Sequence, residues 1–359
     1  MEHRYAVVVA GGAGTRLWPL SRQSLPKQMQ ALMSDKTLIR ETVDRIRGVV
    51  PMSNVYISTT TNYCDSIHAL LPDVPPENMI CEPTARGTAA AFALFASVIH
   101  EKDPEAVIFS LASDHAIAEV EKFQVAMRQS FAFVESHPRH MAMVGVRPTR
   151  PDTGLGYIRA RHALQGDPLV LRAEKFVEKP TRDVAQKYAD SGEYYWNAAY
   201  YCFTAEALLE AYEDADPALV DAARNFRKSG DPADYELAPD KTHEIEIIDS
   251  TTYPLALVPA DFTWSDIGNW PALYNLKRQL AGEDQVRTDS AQHVDVDSSR
   301  LLVSNADGRL VATAGLDDIA IITTEDAVLV LNMAQLERDP LLMKRLLDEL
   351  VAHGQDGYL

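Results

Sequence analysis

Cysteine is scarce in this sequence, with three residues among 359. Cys64, Cys81 and Cys202 lie far apart and form no Cys-x-x-Cys pair, which argues against a disulfide framework and against a zinc site. We therefore expect all three to be small buried apolar side chains.

Long apolar runs are also missing. The longest, from Thr88 to Ile99, is too short to span a bilayer. Residues 2–16 lack the charged and apolar regions of a signal peptide. We expect a cytoplasmic protein without a membrane partner.

Positive charge is in deficit. The chain has 34 Lys and Arg residues against 52 Asp and Glu residues, which gives a formal net charge of -18. It contains no Lys/Arg-rich run that could follow a phosphate backbone. We therefore expect no nucleic-acid partner.

Strand-like apolar runs alternate with helical patterns through most of the chain. The strand candidates are Tyr5–Ala10, Val55–Thr59, Val107–Ala112, Met141–Val146, Leu169–Phe176, Ala199–Phe203 and Leu255–Val258. The helix candidates between them are Thr37–Arg47, Thr88–His100, Val120–Glu135, Arg182–Ser191 and Ala205–Glu213. This alternation predicts a doubly wound α/β sheet, in which ligands bind outside the carboxyl ends of the strands.

The length indicates one large domain and a smaller one. The polar stretch from Ala281 to Gln292 has the composition of a linker, so we expect domains over residues 1–280 and 281–359. The second should contain short strands and a helix near Gln335–Val351. We find no repeat of fixed period.

A glycine-rich turn follows the first strand, in the stretch VVVAGGAGTRLWPLSRQSLPKQ (residues 7–28). It is not a Walker A loop, and the Rossmann fingerprint would need glycine where Leu17 stands. The residue types still suit a triphosphate, because backbone N–H groups can approach phosphates at glycine while Arg16 and Lys27 neutralise them. The alternative is an ordinary glycine-rich turn with solvated charges.

The same stretch closely resembles the signature of the sugar-nucleotide pyrophosphorylases, in the mannose-1-phosphate guanylyltransferase branch. Further matches follow in the family's order: CEPTARGTAAA (81–91), ASDHAI (112–117), TGLGYI (153–158), FVEKP (176–180), WNAAYYCF (196–203) and ADFTWSDIGNW (260–270). The resemblance implies a Rossmann-like nucleotidyltransferase sheet. The tail from about His293 is similar to the small β-helix-like domain of single-function relatives, which implies a homodimer.

The reaction implied by the resemblance is attack of mannose 1-phosphate on the α-phosphate of GTP, with Mg²⁺, giving GDP-mannose and pyrophosphate. Two alternatives remain open: a guanylyltransferase for another sugar 1-phosphate, such as a manno-heptose, and a non-catalytic paralogue that binds GDP-mannose. The chain ends where longer relatives append an isomerase domain, so we expect the transferase activity alone.

The resemblance assigns site residues that the chemistry can rationalise. Asp114 and Asp266 are the metal ligands, although an isolated Asp after a strand can equally cap a helix. Arg16 and Lys27 act on the nucleotide side and Lys179 holds the sugar phosphate. The other sugar-phosphate residues are Gly156, Glu178 and Asn197; the nucleotide-binding residues are Gly11, Gly12, Gly14, Thr15, Glu82, Gly87 and Thr88.

Glu82 carries a separate hypothesis about base recognition. Relatives that use uridine or thymidine nucleotides resemble QPxGLA here, with Gln at the position of Glu82. An ionised carboxylate can only accept hydrogen bonds, so Glu82 could receive both N1–H and the 2-amino group of guanine. The alternative is that Glu82 caps the helix that begins near Arg86, while backbone groups around Gly11 and Thr88 read the base.

The sequence departs from the family pattern at three places. Gly87 stands where relatives usually carry Asn, and Ala199 stands where they carry glycine. In THEIEIIDS (242–250), Glu244 and Asp249 are the candidate counterparts of an Asp and a Glu in the family's SIDYAVME. We expect altered contacts around the sugar or the base.

Overall fold

A computed structural model describes residues 2–12, 14–164, 167–244, 253–282, 285–287, 292–306 and 308–359. The chain divides into two compact units. Unit 1 comprises Met1–Gly11, Thr42–Ser113 and Glu119–Thr263, and unit 2 comprises Gly12–Glu41, Asp114–Ala118 and Trp264–Leu359. A single domain boundary near residue 280 stays a prediction.

The strands are, in chain order, β1 (Arg4–Val9), β2 (Val55–Thr60), β3 (Met79–Glu82), β4 (Val107–Ala112), β5 (Ala116–Ile117), β6 (Met141–Val146), β7 (Tyr157–Leu164), β8 (Asp167–Val177), β9 (Tyr194–Thr204), β10 (Leu255–Ala260), β11 (Trp264–Ser265), β12 (Gln285–Arg287), β13 (His293–Val296), β14 (Ser299–Asn305), β15 (Val311–Ala314), β16 (Asp317–Thr323) and β17 (Val328–Asn332). The α-helices are α1 (Leu38–Arg45), α2 (Thr61–Leu70), α3 (Gly87–Lys102), α4 (Val120–Ser136), α5 (Arg182–Ser191), α6 (Ala205–Ala215), α7 (Pro217–Ser229), α8 (Pro232–Glu236), α9 (Trp270–Ala281), α10 (Met333–Arg338) and α11 (Leu342–Ala352). Within the described ranges, no helix is both long and apolar enough to cross a membrane.

Unit 1 is built on one mixed sheet, with strand order β3-β2-β1-β4-β9-β6-β10-β8-β7. Strands β1 to β4 run parallel to one another, and β9 enters antiparallel between β4 and β6. All six residues of β2 are buried, as expected for a parallel strand inside an α/β sheet. The carboxyl ends of β1 to β4 therefore lie at one edge, where the sequence places its first motifs.

The apolar run from Thr88 to Ile99 forms most of α3. This helix is buried on nearly all sides, and it packs against α6 and α7 as well as the core of the sheet. An all-round apolar helix of this length is typical of a protein interior. The mixed α/β fold predicted from the sequence is confirmed.

Unit 2 contains a coil of parallel strands. Ser299 pairs with Asp317 in β14 and β16, and His293 pairs with Val311 in β13 and β15. Both registers correspond to an offset of 18 residues, and polar side chains repeat the offset, as in the 2.8 Å hydrogen bond from Thr323 to Asn305. This is the β-helix-like domain that the resemblance implied, and its 18-residue offset is a regularity that the sequence analysis missed.

Two local expectations were wrong. The helix expected over Gln335–Val351 is two helices, α10 and α11, because Pro340 cannot supply the backbone N–H that a continuous helix requires. Cys64 and Cys81 are joined by a disulfide with Cα atoms 6.0 Å apart, and only Cys202 is the buried free thiol expected of all three. The pairing depends on α2 lying against β3, which the cysteine spacing does not reveal.

Candidate active site

The glycine-rich loop continues in unit 2 as two short 3-10 turns, Thr15–Leu17 and Lys27–Met29. Gly14 has a φ of 64°, and a Cβ added there would lie 2.4 Å from the Cβ of Lys27. Glycine is therefore required at this position for the loop to pack against Lys27.

Gly11 and Gly12 have a different reason to be glycine. Both are exposed, and among the described residues no heavy atom lies within 4 Å of a Cβ added at either position. Internal packing does not require glycine there, so the loop leaves backbone accessible to a ligand. Thr15 and the exposed Arg16 follow on the same loop.

Lys27 is the centre of a charged cluster in unit 2. Its side chain is buried, and its Nζ donates to Asp114 Oδ2 at 2.7 Å and to the backbone carbonyl of Asp266. Burial alone would raise the pKa of Asp114, but Lys27 and His115 outweigh it and hold that pKa below its ordinary value. The carboxylate is therefore ionised at neutral pH.

A two-residue antiparallel ladder brings Asp114 and Asp266 together. Strand β5 pairs with β11 through Trp264 with Ile117 and Ser265 with Ala116. Asp266 and His115 are the next residues beyond this ladder, and Lys27 links Asp266 to Asp114 through the two contacts given above. Asp266 accepts a 3.2 Å hydrogen bond from the backbone of Gly268, where an added Cβ would lie 2.7 Å from its Oδ2.

His115 has a fixed tautomer. The indole Nε1 of Trp264 can only donate, and it lies 3.2 Å from His115 Nδ1, so the imidazole proton resides on Nε2. This Nε2 lies 3.9 Å from Asp114 Oδ1. His115 therefore orients toward the carboxylate.

The two carboxylates suit a divalent metal bound jointly with substrate. In the part of the chain that the structure describes, no group of three or more His, Cys, Asp or Glu side chains could hold a metal. Mg²⁺ commonly takes one or two protein carboxylates and completes its octahedron with phosphate oxygens and water. Asp114 and Asp266 fit that pattern.

Glu82 ends β3 in unit 1 and is buried. Its Oε2 accepts from the Tyr235 hydroxyl at 2.7 Å, and its Oε1 lies 3.4 Å from Ser58 Oγ. Burial raises the pKa of Glu82 to about 7, although these two donors lower it. The N-cap residue of α3, Arg86, makes no side-chain capping hydrogen bond, and the contacts of Glu82 given above are to Tyr235 and Ser58 rather than to the start of this helix.

Gly87 lies at the first turn of α3 with a φ of 71°. A Cβ there would lie 2.2 Å from the carbonyl oxygen of Lys241, so glycine admits this segment against the helix. Two hydrogen bonds hold the segment: Ala89 N donates to Lys241 O at 3.1 Å, and His243 N donates to Thr88 Oγ1 at 2.8 Å. Two departures noted in the sequence, Gly87 and the segment that begins at Thr242, are therefore structurally linked.

The pairing of β7 with β8 and β9 gathers the predicted sugar-side residues. Asn197 N donates to Gly156 O at 2.9 Å, and a Cβ added to Gly156 would lie 3.0 Å from Glu178 Oε2. Lys179 is exposed, has a φ of 41° and forms a 2.7 Å ion pair with Glu178. Both charged groups of this pair are more than half exposed and remain accessible to a ligand.

A bulge in β9 explains a contact that the sequence did not suggest. Asn197 pairs with Gly145, and Tyr201 pairs with Met143. Four residues of β9 therefore span the length of two residues of β6, so Asn197 and Tyr201 are separated along the strand by about 7 Å instead of the about 13 Å of a regular strand. Asn197 Nδ2 consequently donates to the Tyr201 hydroxyl at 2.8 Å. Ala199, in the bulge, has a φ of 53°, the left-handed conformation for which glycine is better suited.

The chain matches known protein families over most of its length. Residues 5–283 match the nucleotidyl transferase family, and residues 291–336 match the mannose-phosphate isomerase/GMP-like β-helix domain. The chain is 32% identical to the mannose-1-phosphate guanylyltransferase of Escherichia coli K12 over 98% of its own length and 74% of that protein. The chain belongs to the mannose-1-phosphate guanylyltransferase family.

Two further proteins are similar to this chain over almost its whole length. Mannose-1-phosphate guanylyltransferase ManC of Salmonella typhimurium is 31% identical over 98% of this chain and 74% of that protein. A solved structure from Thermus thermophilus, described as a mannose-1-phosphate geranyltransferase, superposes with a TM-score of 0.85 at 28% identity, covering 96% of this chain and 99% of the other. The protein is thus a sugar nucleotidyltransferase with the family's mixed α/β domain and β-helix-like domain.

Within this family member, the predicted residues fall into three local groups. Lys27, Asp114 and Asp266 meet in unit 2; Gly87 and Thr88 meet the Lys241–His243 segment in unit 1; Gly156, Glu178 and Asn197 meet at β7–β9. Tyr201 and Tyr235 were not among the residues predicted from the sequence. The sequence hints at Tyr201 only as an aromatic residue four positions after Asn197, and at Tyr235 only as an aromatic residue within a polar stretch.

Proposed function

We propose that the protein transfers GMP from GTP to α-D-mannose 1-phosphate in a Mg²⁺-dependent reaction. A phosphate oxygen of the sugar phosphate attacks the α-phosphorus of GTP, and the bond from that phosphorus to the bridging oxygen breaks, releasing pyrophosphate and forming GDP-mannose. The observation that carries the proposal is the cluster in which the buried Lys27 ammonium donates to the Asp114 carboxylate and to the backbone carbonyl of Asp266.

The reaction needs no protein nucleophile or general base. A sugar phosphate has a second pKa of about 6, so it is already largely a dianion at neutral pH. The protein must align the reactants and neutralise charge. We assign Arg16 and Lys27 to the triphosphate and Lys179 to the sugar phosphate.

The chain's own groups divide the remaining work. The loop at Gly11, Gly12 and Gly14 would present backbone N–H groups to the phosphates. Asp114 and Asp266 would hold Mg²⁺, which supplies charge neutralisation at the phosphates when bound. In the structure the Lys27 ammonium offsets the Asp114 carboxylate, which supports a site that already balances opposite charges.

The sugar phosphate and the nucleotide are assigned on different grounds. The names of the E. coli and Salmonella relatives favour guanylyl transfer to mannose 1-phosphate. We keep the hypothesis that Glu82 accepts from the two adjacent donors of guanine, which would share its oxygens with Tyr235 and Ser58. We also retain a cytoplasmic homodimer as a prediction.

A substrate panel tests the proposal. Pyrophosphate release is measured for GTP, ATP, UTP and ITP, each with mannose 1-phosphate, glucose 1-phosphate and a manno-heptose 1-phosphate, with and without Mg²⁺. We expect GTP with mannose 1-phosphate and Mg²⁺ to give the highest kcat/KM. A preference for the heptose would overturn the sugar assignment, and binding of GDP-mannose without turnover would identify a non-catalytic paralogue.

A further inference from the structure

Outside the residues assigned above, the buried hydroxyl of Tyr201 lies within hydrogen-bond distance of two polar side chains. The side chain is 1% exposed, and its hydroxyl lies 2.8 Å from Asn197 Nδ2 and 2.8 Å from Glu244 Oε1. Tyr201 thus connects a predicted sugar-binding amide to a carboxylate from the irregular segment after Thr242.

The chemistry of the three groups fixes the direction of both hydrogen bonds. Tyr201 has a single phenolic proton and donates it to Glu244 Oε1. The phenolic oxygen must then accept from the Asn197 amide. Burial, followed by the charge of Glu244, raises the pKa of Tyr201 well above its ordinary value, so the hydroxyl keeps its proton.

The other end of the Asn197 amide is also held. Its Oδ1 accepts from the backbone N–H of Ala199 at 3.1 Å, inside the β9 bulge. The carboxamide therefore cannot rotate to exchange its donor and acceptor without breaking two hydrogen bonds. One N–H and the remaining lone pair of Oδ1 stay available to a ligand in a defined arrangement.

Glu244 is held in turn by the segment that precedes it. His243 stacks on Phe92 with ring centroids 4.1 Å apart, and its Nδ1 lies 2.7 Å from the Tyr212 hydroxyl. The same segment packs over Gly87, where any side chain would meet Lys241 O. Gly87 therefore helps deliver Glu244 to Tyr201.

We propose that Tyr201 is a positioning residue that sets sugar selectivity, because its hydroxyl locks the donor and acceptor ends of the Asn197 amide between Glu244 and Ala199. The inference rests on the proposed function, in which Asn197 binds a sugar hydroxyl. A sugar hydroxyl can donate or accept, so the fixed amide selects its position: a hydroxyl displaced by the wrong configuration no longer reaches the fixed N–H and Oδ1, whereas an amide free to rotate would follow it.

The test is Tyr201→Phe, which keeps the ring and removes the hydroxyl. We expect KM for mannose 1-phosphate to rise about tenfold, the effect of one lost hydrogen bond, with KM for GTP unchanged and kcat within about threefold. The kcat/KM ratio of mannose 1-phosphate to its 2-epimer, glucose 1-phosphate, should fall by a similar factor. Tyr200→Phe is the matched control, because Tyr200 is buried one residue away and packs against Phe109 and Phe123.

A second pair of variants separates positioning from folding. Glu244→Gln retains an acceptor for Tyr201 and should preserve selectivity, whereas Glu244→Ala should reproduce the Tyr201→Phe loss. If Tyr201→Phe lowered the melting temperature but kept the wild-type sugar ratio, as Tyr200→Phe should, the residue would be structural and the inference overturned.

Failure of the proposed function would be recognised separately. If the wild-type protein preferred another sugar 1-phosphate, the same ratios would be measured with that sugar and its 2-epimer. If it turned over none of the sugars, calorimetric affinities for GDP-mannose and GDP-glucose would replace kcat/KM. In either case, an unchanged ratio in Tyr201→Phe would refute the positioning role.

Discussion

Replacing Glu82 with glutamine should make the protein more stable at high pH. Glu82 is a carboxyl group that is 4% exposed, and burial raises its pKa from 4.5 to about 7. Above that pH the folded protein contains a buried negative charge, and among the described residues two hydroxyl groups, those of Tyr235 and Ser58, donate to it. Glutamine keeps the shape and an acceptor for Tyr235 but removes the charge.

The size of the effect follows from the pKa difference. The folded state binds the proton of Glu82 more tightly than the unfolded state, so this group's contribution to stability is complete below pH 4.5 and is lost as pH rises through about 7. A difference of about 2.5 units corresponds to about 3 kcal/mol. Glu82→Gln should therefore exceed wild type by less than about 1 kcal/mol near pH 5 and by about 3 kcal/mol at pH 8.

Urea denaturation followed by circular dichroism, at several pH values from 5 to 8, measures this difference. The exposed Glu77→Gln is the control for loss of one charge and should show no such trend. Tyr235→Phe removes the 2.7 Å donor to Glu82, so it should destabilise the protein most at high pH, by about 1.5–3 kcal/mol.

The Glu82→Gln variant also tests the role of this carboxylate in binding the base. If the carboxylate reads guanine, Glu82→Gln should lower kcat/KM for GTP at least tenfold, about 1.4 kcal/mol, while ITP, which lacks the 2-amino group, loses less. A variant that is less stable than wild type at pH 8 would refute the electrostatic reasoning. Equal losses with GTP and ITP would place base recognition elsewhere.

Three further predictions concern the rest of the site. Asp114→Asn or Asp266→Asn should lower kcat by about a hundredfold or more with an unchanged circular dichroism spectrum, and near-normal turnover of both at saturating Mg²⁺ would contradict the metal assignment. Arg16→Ala should raise KM for GTP more than KM for the sugar phosphate, and Lys179→Ala should do the reverse; identical changes in steady-state kinetics would disprove this division. Ala199→Gly should raise the free energy of unfolding by up to about 1 kcal/mol in urea titrations, because left-handed strain of about 1–2 kcal/mol exceeds the entropic cost of glycine, and a loss of stability would show that the strain is absent.

The long periodic elements could be predicted from local pattern. The strand candidates Val107–Ala112 and Met141–Val146 have the predicted bounds, and α4 and α5 begin where expected. The two strands are apolar runs and the two helices are amphipathic, and in each case the pattern lies within the element itself. The helix predicted near Gln335 is too long because the apolar periodicity continues past Pro340. In the structure the first helix ends before this proline.

The sequence by itself determined the family, through the resemblance of its motifs, and the α/β class, and it supplied the residues that we propose for phosphate and metal. Those are properties of contiguous motifs, so spacing along the chain is enough. Only the tertiary structure decided that Lys27 lies between Asp114 and Asp266, that Gly87 admits the Lys241–His243 segment, and that a bulge brings Tyr201 to Asn197. These contacts join residues through strand register and left-handed backbone conformations, which depend on packing across the fold rather than on the order of neighbouring residues.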